Sequence, residues 1–274
     1  MVQATIEKRE MHQSHLFSMQ NCGEEYRRKY VLGERGIKSC PLIGGSAVHF
    51  GRDVNLSQKV KSKIDLEVEA VTEATRDCVV EMFADNDVDP GYEFAGLPKK
   101  SVCQQMIDKS VKMARADYEH FQVNIQPLDV EVGIGVALKN YPFDLGVKLD
   151  VVEPLDVFSD CKTSGRTPSK DIAETSQQLA LYSLAYQAKY KKAARVMRLD
   201  YTVTLKTGMK CVSFEATPSR SFQQAILNRM ATAYEATEKG IFVPCNTTHW
   251  KCGPKYCEFY HDCRYVGRQD RPKN

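Results

Sequence analysis

The sequence has no long apolar run and almost no net charge. No uninterrupted stretch of 18 apolar residues occurs in its 274 residues, so we expect no transmembrane helix. The first seventeen residues lack the apolar core of a signal peptide, and we expect a cytoplasmic protein without membrane association. The net charge of +3 argues against a strong overall basic field but leaves room for a local basic groove.

Internal repeats, low-complexity segments and the ATP-binding loop GxxxxGK[ST] are also absent. Any ATP-driven step must therefore come from another chain. Cysteine, in contrast, occurs ten times. Without a secretory signal these cysteines argue against a disulfide framework and for reduced thiols or metal ligands. The remaining composition, 27% charged and 42% hydrophobic, is typical of a globular protein with a sizeable core.

Residues 141–163 have the pattern of a β-hairpin. Apolar and polar residues alternate with a period of two around residues 147–152, which predicts a strand. Residues 153–156 (EPLD) interrupt the pattern, because proline cannot donate to a strand ladder and favours turns. A second strand is predicted over residues 157–163.

This hairpin carries the first candidate site. Asp160 and Lys162 are two residues apart on one strand, so they share a face of the sheet. Folding the hairpin can place Asp150 next to them. Two carboxylates beside an ammonium group suit Mg²⁺ or Mn²⁺, and the lysine can orient a water or stabilise charge on a phosphate. The alternative is a hairpin with a solvated charged face.

The first 120 residues are predicted to be almost entirely helical or loop. The predicted elements are a helix over 5–32, a loop over 33–44, a helix from Ser46, a charged helical run over 56–84 and a helix over 100–119. Strand character begins only at 128–138. The N-terminal part is therefore expected to consist of packed helices that precede the sheet.

Beyond the hairpin, helices and strands alternate. The predicted elements are a helix over 169–191, strands over 197–205 and 210–216, a helix over 219–239 and a cysteine-rich tail from 241. A mixed sheet with a crossover helix, in one α/β domain, follows from this order.

Four short motifs occur in a fixed order along the chain. They are GGSAVH with His49, LGVKLD with Asp150, DCK with Asp160 and Lys162, and QLALY with Gln178 and Tyr182. In this order they resemble the RecB-like branch of the PD-(D/E)XK nucleases, which includes the nuclease domains of RecBCD and AddAB, CRISPR-associated exonucleases and phage-encoded relatives. The resemblance covers about residues 15–265 and is greatest to the phage-type members.

The resemblance implies a fold and a domain organisation. The chain would be a single nuclease domain over 1–274 with a restriction-endonuclease-like core, in which helices flank a mixed central sheet. A mainly helical part over 1–120 would precede the catalytic α/β core at 121–240. The cysteine-rich tail, 241–274, would pack back on the N-terminal part.

The resemblance also implies residue roles. His49, Asp150, Asp160 and the backbone carbonyl of Cys161 would ligate the catalytic Mg²⁺ or Mn²⁺, Lys162 would position or activate the attacking water, and Gln178 and Tyr182 would shape the site from the crossover helix. Glu131 stands where many relatives have an acidic residue. From the residues alone, a lone histidine on a helix such as His49 is more often a surface or core residue than a metal ligand, and Gln178 and Tyr182 also fit a half-buried helix face.

The cysteines form a second constellation. Cys252, Cys257 and Cys263 follow one another closely, and Cys22 is the distant fourth candidate. Relatives with a four-iron four-sulfur (4Fe-4S) cluster place one cysteine before the nuclease core and three after it. Their first two clustered cysteines are separated by two residues, whereas four intervene here. Zn²⁺, packing of reduced thiols and a ligand role for Cys245 remain alternatives.

The function implied is a metal-dependent DNA exonuclease that hydrolyses phosphodiester bonds at DNA ends or in single strands, in phage recombination or DNA repair. DNA and a helicase or recombination protein would be its partners. The alternatives are an inactive DNA-binding or assembly subunit, a CRISPR-adaptation-type nuclease that trims DNA ends, and a structural zinc protein. Basic and aromatic residues at 27–30, Lys251, Lys255 and Arg264 could contact DNA, or form solvated charged faces.

Overall fold

A computed structural model describes residues 9–85, 87–253 and 256–266 of the chain. The strands are β1 (Arg9–Met11), β2 (Lys38–Ser39), β3 (Val88–Asp89), β4 (Asp129–Val136), β5 (Phe143–Glu153), β6 (Val157–Ser164), β7 (Val196–Leu205) and β8 (Gly208–Ala216). The helices are α1 (Gln13–Asn21), α2 (Gly23–Tyr26), α3 (Cys40–Ser62), α4 (Val68–Asp85), α5 (Lys99–His120), α6 (Gln177–Tyr190) and α7 (Arg220–Glu238). A π-helical turn, Arg27–Val31, extends α2. None of the described helices is long and apolar enough to cross a membrane.

Six of the described strands form one mixed sheet. Its order is β1-β5-β6-β7-β8, and β4 pairs with the other edge of β5. The pairs β4–β5, β5–β6 and β7–β8 are antiparallel, whereas β1–β5 and β6–β7 are parallel. The crossover between the parallel strands β6 and β7 is α6, as a parallel connection requires. The predicted mixed central sheet flanked by helices is confirmed.

The predicted hairpin is also confirmed. β5 ends at Glu153 and β6 begins at Val157. Leu155 and Asp156 have φ values of 60° and 61°. Two successive positive φ values are typical of a tight hairpin turn whose twist matches that of the strands.

β5 and β6 pair only next to this turn. Their ladder ends at the pair Val151 and Ser159, although β5 extends back to Phe143 and β6 continues to Ser164. The strands therefore separate like a fork. β1 pairs with β5 in the widened part, beginning with Arg9 opposite Phe143.

The main core lies between the sheet and α6 and α7. Leu149, Phe158, Leu179, Ile226 and Met230 are fully buried there. Burial of a side chain of this size stabilises the fold by roughly 1.5–3 kcal/mol. β5 is buried along most of its length, and its buried residues near the turn include the acidic Asp150 and Glu153.

The helices α3, α4 and α5 form a second layer that contacts the sheet through α3 and α5. Gly51 allows α3 to approach α4, because a Cβ at this position would lie 2.2 Å from Thr75 Oγ1. α3 also contacts β4 and β6. This packing holds α3 against the open end of the fork.

Two of the predicted N-terminal elements are wrong. The helix predicted over 5–32 contains β1, and its residues 5–8 lie outside the described ranges. β1 forms because β5 has a free edge there and Met11 is fully buried against the core. The run predicted over 56–84 is two helices, separated after Lys63 takes a left-handed φ of 63°. In both cases tertiary pairing or a local break overrides helical periodicity.

Two predicted helix starts and one loop are also wrong. α3 begins at Cys40 rather than Ser46, and β2 and the first turn of α3 replace part of the loop predicted over 33–44. α6 begins at Gln177 rather than at residue 169. Ser176 is its N-cap, since its side chain accepts a hydrogen bond from the Leu179 N–H, which satisfies an otherwise unpaired helix donor.

Candidate functional site

The fork between β5 and β6 positions the two predicted carboxylates. Asp150 immediately precedes Val151, and Asp160 immediately follows Ser159, the last residues that pair across the β5–β6 ladder. The amide N–H of Cys161 donates a 3.0 Å hydrogen bond to Asp150 Oδ2. An N–H of β6 therefore binds a carboxylate of β5 where the ladder has ended. The two carboxylates thus face the same opening.

Asp160 is held by groups from its own strand and from α6. Lys162 Nζ lies 2.5 Å from Asp160 Oδ2. Gln178 Nε2 donates to Asp160 Oδ1 at 3.0 Å and to Tyr182 Oη at 2.7 Å. Because Gln178 and Tyr182 are four residues apart on α6, they share a helix face. The crossover helix thereby fixes one oxygen of the buried carboxylate.

His49 lies on α3 and approaches the other carboxylate, Asp150. Its Nδ1 lies 3.5 Å from Asp150 Oδ2. Gly45 lies where α3 approaches β6 closely, since a Cβ there would be 3.1 Å from Thr163 Oγ1 and would require a small shift of that side chain. The structure therefore brings six predicted side chains to one place: His49, Asp150, Asp160, Lys162, Gln178 and Tyr182.

The electrostatics of this group are unfavourable for two ionised carboxylates. Burial, and then the charge of Asp150, raise the pKa of Asp160 to about 6. Burial also raises the pKa of Asp150. Burial alone would lower the pKa of Lys162, but Asp160 and Asp150 outweigh it and raise the pKa, so the ammonium stays charged. Burial lowers the pKa of His49, which favours a neutral imidazole. A further cation would stabilise the carboxylate pair.

The site opens into a cavity of about 600 Å³, within the size range of ligand sites. Its lining residues are Pro41, Leu42, Gly45, Ser46, His49, Phe50, Asp53, Cys78, Glu131, Lys162 and Thr163. His49 and Lys162 are thus accessible to a molecule in the cavity, whereas Asp160 is only 1% exposed behind them. A substrate atom would meet Lys162 before it met the carboxylates.

Two more carboxylates line this cavity. Asp53 was missed by the sequence reasoning, although it lies four residues after His49 and therefore on the same face of α3. Burial, and then the charge of Asp150, raise its pKa to about 7. Glu131 has a left-handed φ of 56° and forms an ion pair with Lys148. Its neighbours in β4 pair with Val151 and Leu149, which places Glu131 opposite Asp150.

The donor set suits a hard divalent cation. One imidazole nitrogen and two buried carboxylates are ligands that Mg²⁺ and Mn²⁺ accept, and His49 Nδ1 and Asp150 Oδ2 already face each other. No three His, Cys, Asp or Glu side chains within the described ranges stand ready as a complete metal site. Asp160 Oδ2 contacts Lys162 instead. Cys161 is joined to Asp150 through its amide, and its side chain is fully buried.

A buried ionic network lies beneath the site and was not predicted. Arg52, on α3, donates to Asp117 Oδ1 at 3.0 Å and to Asp200 Oδ2 at 2.9 Å. All three side chains are at most 1% exposed. The Cys161 thiol lies 3.7 Å from Asp117 Oδ1. Arg52 therefore joins α3 to α5 and β7, three residues from His49.

Five cysteines line one cavity near the tail, although no three of them are arranged to hold a metal ion in the described ranges. Cys22, Cys245, Cys252, Cys257 and Cys263 line one small cavity of about 20 Å³. The amide of Cys245 donates to Cys22 Sγ at 3.3 Å. Burial raises the pKa of the Cys257 thiol to about 11. None of the ten cysteines forms a disulfide in the described part of the chain, so this cavity collects thiols rather than disulfides.

Ion pairs connect the same two chain segments. The pairs are Arg28 with Asp262, Lys29 with Glu258, Lys251 with Glu25, and Arg264 with Glu24. These basic residues were predicted as candidate DNA contacts, whereas the structure shows them bound to carboxylates of the protein. Lys255 lies outside the described residues. Arg28 also lies over the Phe259 ring, 4.2 Å from its centroid.

Comparison with known proteins is consistent with this architecture. A candidate exonuclease from Eubacterium rectale has a crystal structure that aligns with a TM-score of 0.55 at 14% identity, covering 89% of this chain and 87% of that one; this likeness shows a shared fold. The crystal structure of SSO0001 covers 93% of this chain and 96% of its own at 12% identity, but its TM-score of 0.36 carries no argument. No curated protein matches the chain.

The family comparison covers nearly the whole sequence. The sequence model of the PD-(D/E)XK nuclease superfamily matches residues 11–264. That range includes the fork, α3, α6 and most of the tail. This protein therefore belongs to the PD-(D/E)XK nuclease superfamily.

Proposed function

We propose that this chain is a divalent-metal-dependent nuclease that hydrolyses phosphodiester bonds in DNA. The observation that carries the proposal is the meeting of Asp150, Asp160, Lys162 and His49 in one cluster, whose His49 and Lys162 line an open cavity. Two buried carboxylates beside a lysine and an imidazole have little use as a purely structural cluster, because burial disfavours their charged forms. Membership in a nuclease superfamily supports a catalytic role for this arrangement.

Each residue of the site has a proposed task. His49, Asp150 and Asp160, with the backbone carbonyl of Cys161, would hold Mg²⁺ or Mn²⁺, which supplies polarisation of the scissile phosphate and a bound water of lowered pKa. Lys162 would orient the attacking water and stabilise the charge that develops on the phosphate. Gln178 would keep Asp160 oriented, since it donates to Asp160 Oδ1 and to Tyr182.

The finer features of the activity rest on the motif resemblance. They are an exonuclease mode at DNA ends or in single strands, a role in phage recombination or DNA repair, a cytoplasmic location and a helicase or recombination partner. The absence of an ATP-binding loop in the sequence supports a separate chain for any ATP-driven unwinding.

The direct test uses end-labelled DNA. Purified protein should degrade labelled single strands or duplex ends with Mn²⁺ or Mg²⁺, and degradation should stop when EDTA is added. A closed circular single strand distinguishes the two modes of attack, because an exonuclease leaves it intact. If no DNA substrate is cut at any concentration of either metal, the proposed function is wrong.

Replacement of Lys162 with alanine should slow cleavage by about 10²-fold or more, the scale expected for loss of a charge-stabilising or proton-transfer group. The ligand groups remain, so binding of Mn²⁺ should persist. Single-turnover kinetics and Mn²⁺ titration measure the two effects separately. Lys239→Ala, at the exposed end of α7, is the matched control. Equal rate constants for the two variants would exclude the role given to Lys162.

We also propose a metal centre in the cysteine cavity, either a 4Fe-4S cluster or Zn²⁺. It would draw its four ligands from Cys22, Cys252, Cys257 and Cys263, with Cys245 as an alternative ligand. Support comes from the shared cavity of about 20 Å³ and from the sulfur donors, which suit both centres. Such a centre would join chain segments more than 200 residues apart in sequence.

Loss of this centre should lower stability, because metal binding is coupled to folding. Cys257→Ser should reduce the metal content and lower the free energy of unfolding by more than the roughly 1 kcal/mol of an average substitution. Cys103→Ser, on α5 outside the cavity, should do neither. Anaerobically purified protein should be brown with iron and sulfide, or colourless with about one zinc per chain. Metal-free protein, with equal melting of both variants, would show that the cysteines only pack.

A further inference from the structure

Two large apolar side chains stand exposed on the wall of the candidate catalytic cavity. Leu42 is 56% exposed and Phe50 is 47% exposed. Both line the cavity that contains His49 and Lys162. The hydrolytic chemistry proposed above does not use either of them, and their exposure leaves apolar surface in water next to the reacting groups.

The two side chains lie along one ridge of α3. Leu42, Ser46 and Phe50 are spaced by four residues and therefore follow one line on the helix surface. All three line the cavity. Leu42 and Phe50 are about 12 Å apart along the helix axis, which is about three stacked nucleotide steps. Phe50 directly follows His49 in sequence, so the Phe50 end of this line of side chains is next to a candidate metal ligand.

The charges of the cavity decide which part of a nucleic acid this wall can bind. Among the described residues that line it, Lys162 is the sole lysine or arginine, whereas Asp53 and Glu131 are acidic. A wall of this kind offers little attraction to several phosphates. Aromatic and apolar side chains instead bind the faces of bases, and they do so with little sequence preference. Base faces are accessible only where the strand is unpaired.

We propose that Phe50 stacks on a base next to the scissile phosphate and that Leu42 supports a neighbouring base, so that the site takes an unpaired DNA strand. This inference rests on the proposed nuclease function and names its substrate class. Both are positioning residues, since they orient the strand while Lys162 and the carboxylates face the phosphate. A duplex would have to fray before its end could enter the cavity.

The test compares Phe50→Ala and Phe50→Tyr with wild type. Phe17→Ala is the control, because Phe17 is similarly exposed, at 44%, on α1 outside the cavity. The probes are a fluorescein-labelled single strand, the same strand in a blunt duplex, and a strand of equal length made of abasic residues. Kd, KM and kcat are measured for each probe, and far-UV circular dichroism verifies folding.

Phe50→Ala should raise Kd and KM for the normal single strand by about 5- to 150-fold, the range expected for loss of one base–aromatic stack. Its kcat should stay within a few-fold of wild type, and Phe50→Tyr should restore binding. Wild type should bind the abasic strand more weakly than the normal one, and Phe50→Ala should lose most of that difference.

The outcomes separate this inference from the function on which it rests. If wild type cuts DNA but Phe50→Ala behaves like Phe17→Ala, or if wild type binds both strands equally, the stacking role is wrong and the nuclease assignment stands. A wild-type preference for the blunt duplex over the single strand overturns the substrate class alone. Wild-type protein that neither binds nor cuts any probe overturns both.

Discussion

Asp160→Asn should reduce DNA cleavage by about 10²–10³-fold or more, the scale found when one electrostatic group is removed from an active site. Asp160 is 1% exposed and contacts both Lys162 and Gln178. Asparagine has nearly the same shape but no charge, so the packing should persist while a proposed metal ligand and the charged partner of Lys162 are lost. Single-turnover cleavage in Mn²⁺ measures the effect.

Asp77→Asn is the matched control for this change. Asp77 lies on α4 with its side chain 61% exposed, paired with the adjacent Arg76. Its replacement should leave cleavage unchanged. Asp150→Asn should resemble Asp160→Asn, because both carboxylates face the opening of the fork. If either variant cleaves DNA as fast as the control does at equal Mn²⁺ concentration, the assignment of the site is wrong.

Arg52→Ala should lower the free energy of unfolding by roughly 3–5 kcal/mol, the cost expected when one partner of a buried ion pair is removed and the other stays buried. The change leaves Asp117 buried without its cation, and it leaves Asp200 with Arg198 as its remaining basic partner. Total stabilities are about 5–15 kcal/mol, so this loss is large. Urea unfolding followed by circular dichroism measures the loss. Cleavage should fall as well, because α3 carries His49.

Arg52→Lys provides a second variant if alanine prevents folding. Lysine keeps the charge but cannot reproduce the two-pronged contact of arginine, so an intermediate loss is expected. Arg76→Ala, at a site 51% exposed, should change stability by no more than about 0.5 kcal/mol. Equal urea midpoints for Arg52→Ala and Arg76→Ala would show that the network does not hold α3 in place.

The sequence was sufficient to predict the hairpin and the proximity of Asp160 and Lys162, because local patterns encode both. Strand alternation, the EPLD turn and the spacing of Asp160 and Lys162 depend on neighbours in the chain. The i, i+4 relation of Gln178 and Tyr182 is equally local. The structure adds that the β5–β6 ladder stops at Val151, which places Asp150 at the opening.

Other features could not be predicted because they depend on distant partners. In the sequence, Arg52 is an ordinary charged residue of a helix. Folding places Asp117 and Asp200 beside it, although they are 65 and 148 residues away in the chain. β1 forms because the separation of β6 from β5 leaves an edge free, which no periodicity in residues 9–11 indicates.

The basic residues near the tail illustrate the same limit. Their mixture of charge and aromatics suggested DNA contacts, but sequence alone could not show the carboxylates that fold against them. Arg28 meets Asp262 across 234 positions. Asp262 is 67% exposed, so this pair contributes only about 0–1 kcal/mol. The ion pair is a small addition to the link between the N-terminal segment and the tail that we propose for a metal centre in the cysteine cavity.

The most direct test of the central claim measures metal binding and cleavage in the same samples. Wild type and Asp150→Asn/Asp160→Asn are titrated with Mn²⁺ by calorimetry, and end-labelled single-stranded DNA is added at each concentration. Cleavage by wild type should rise with occupancy of a Mn²⁺ site that the double variant lacks, and the double variant should not cleave. Cleavage by wild type in excess EDTA, or undiminished cleavage by the double variant, would contradict a metal-dependent nuclease site at the fork.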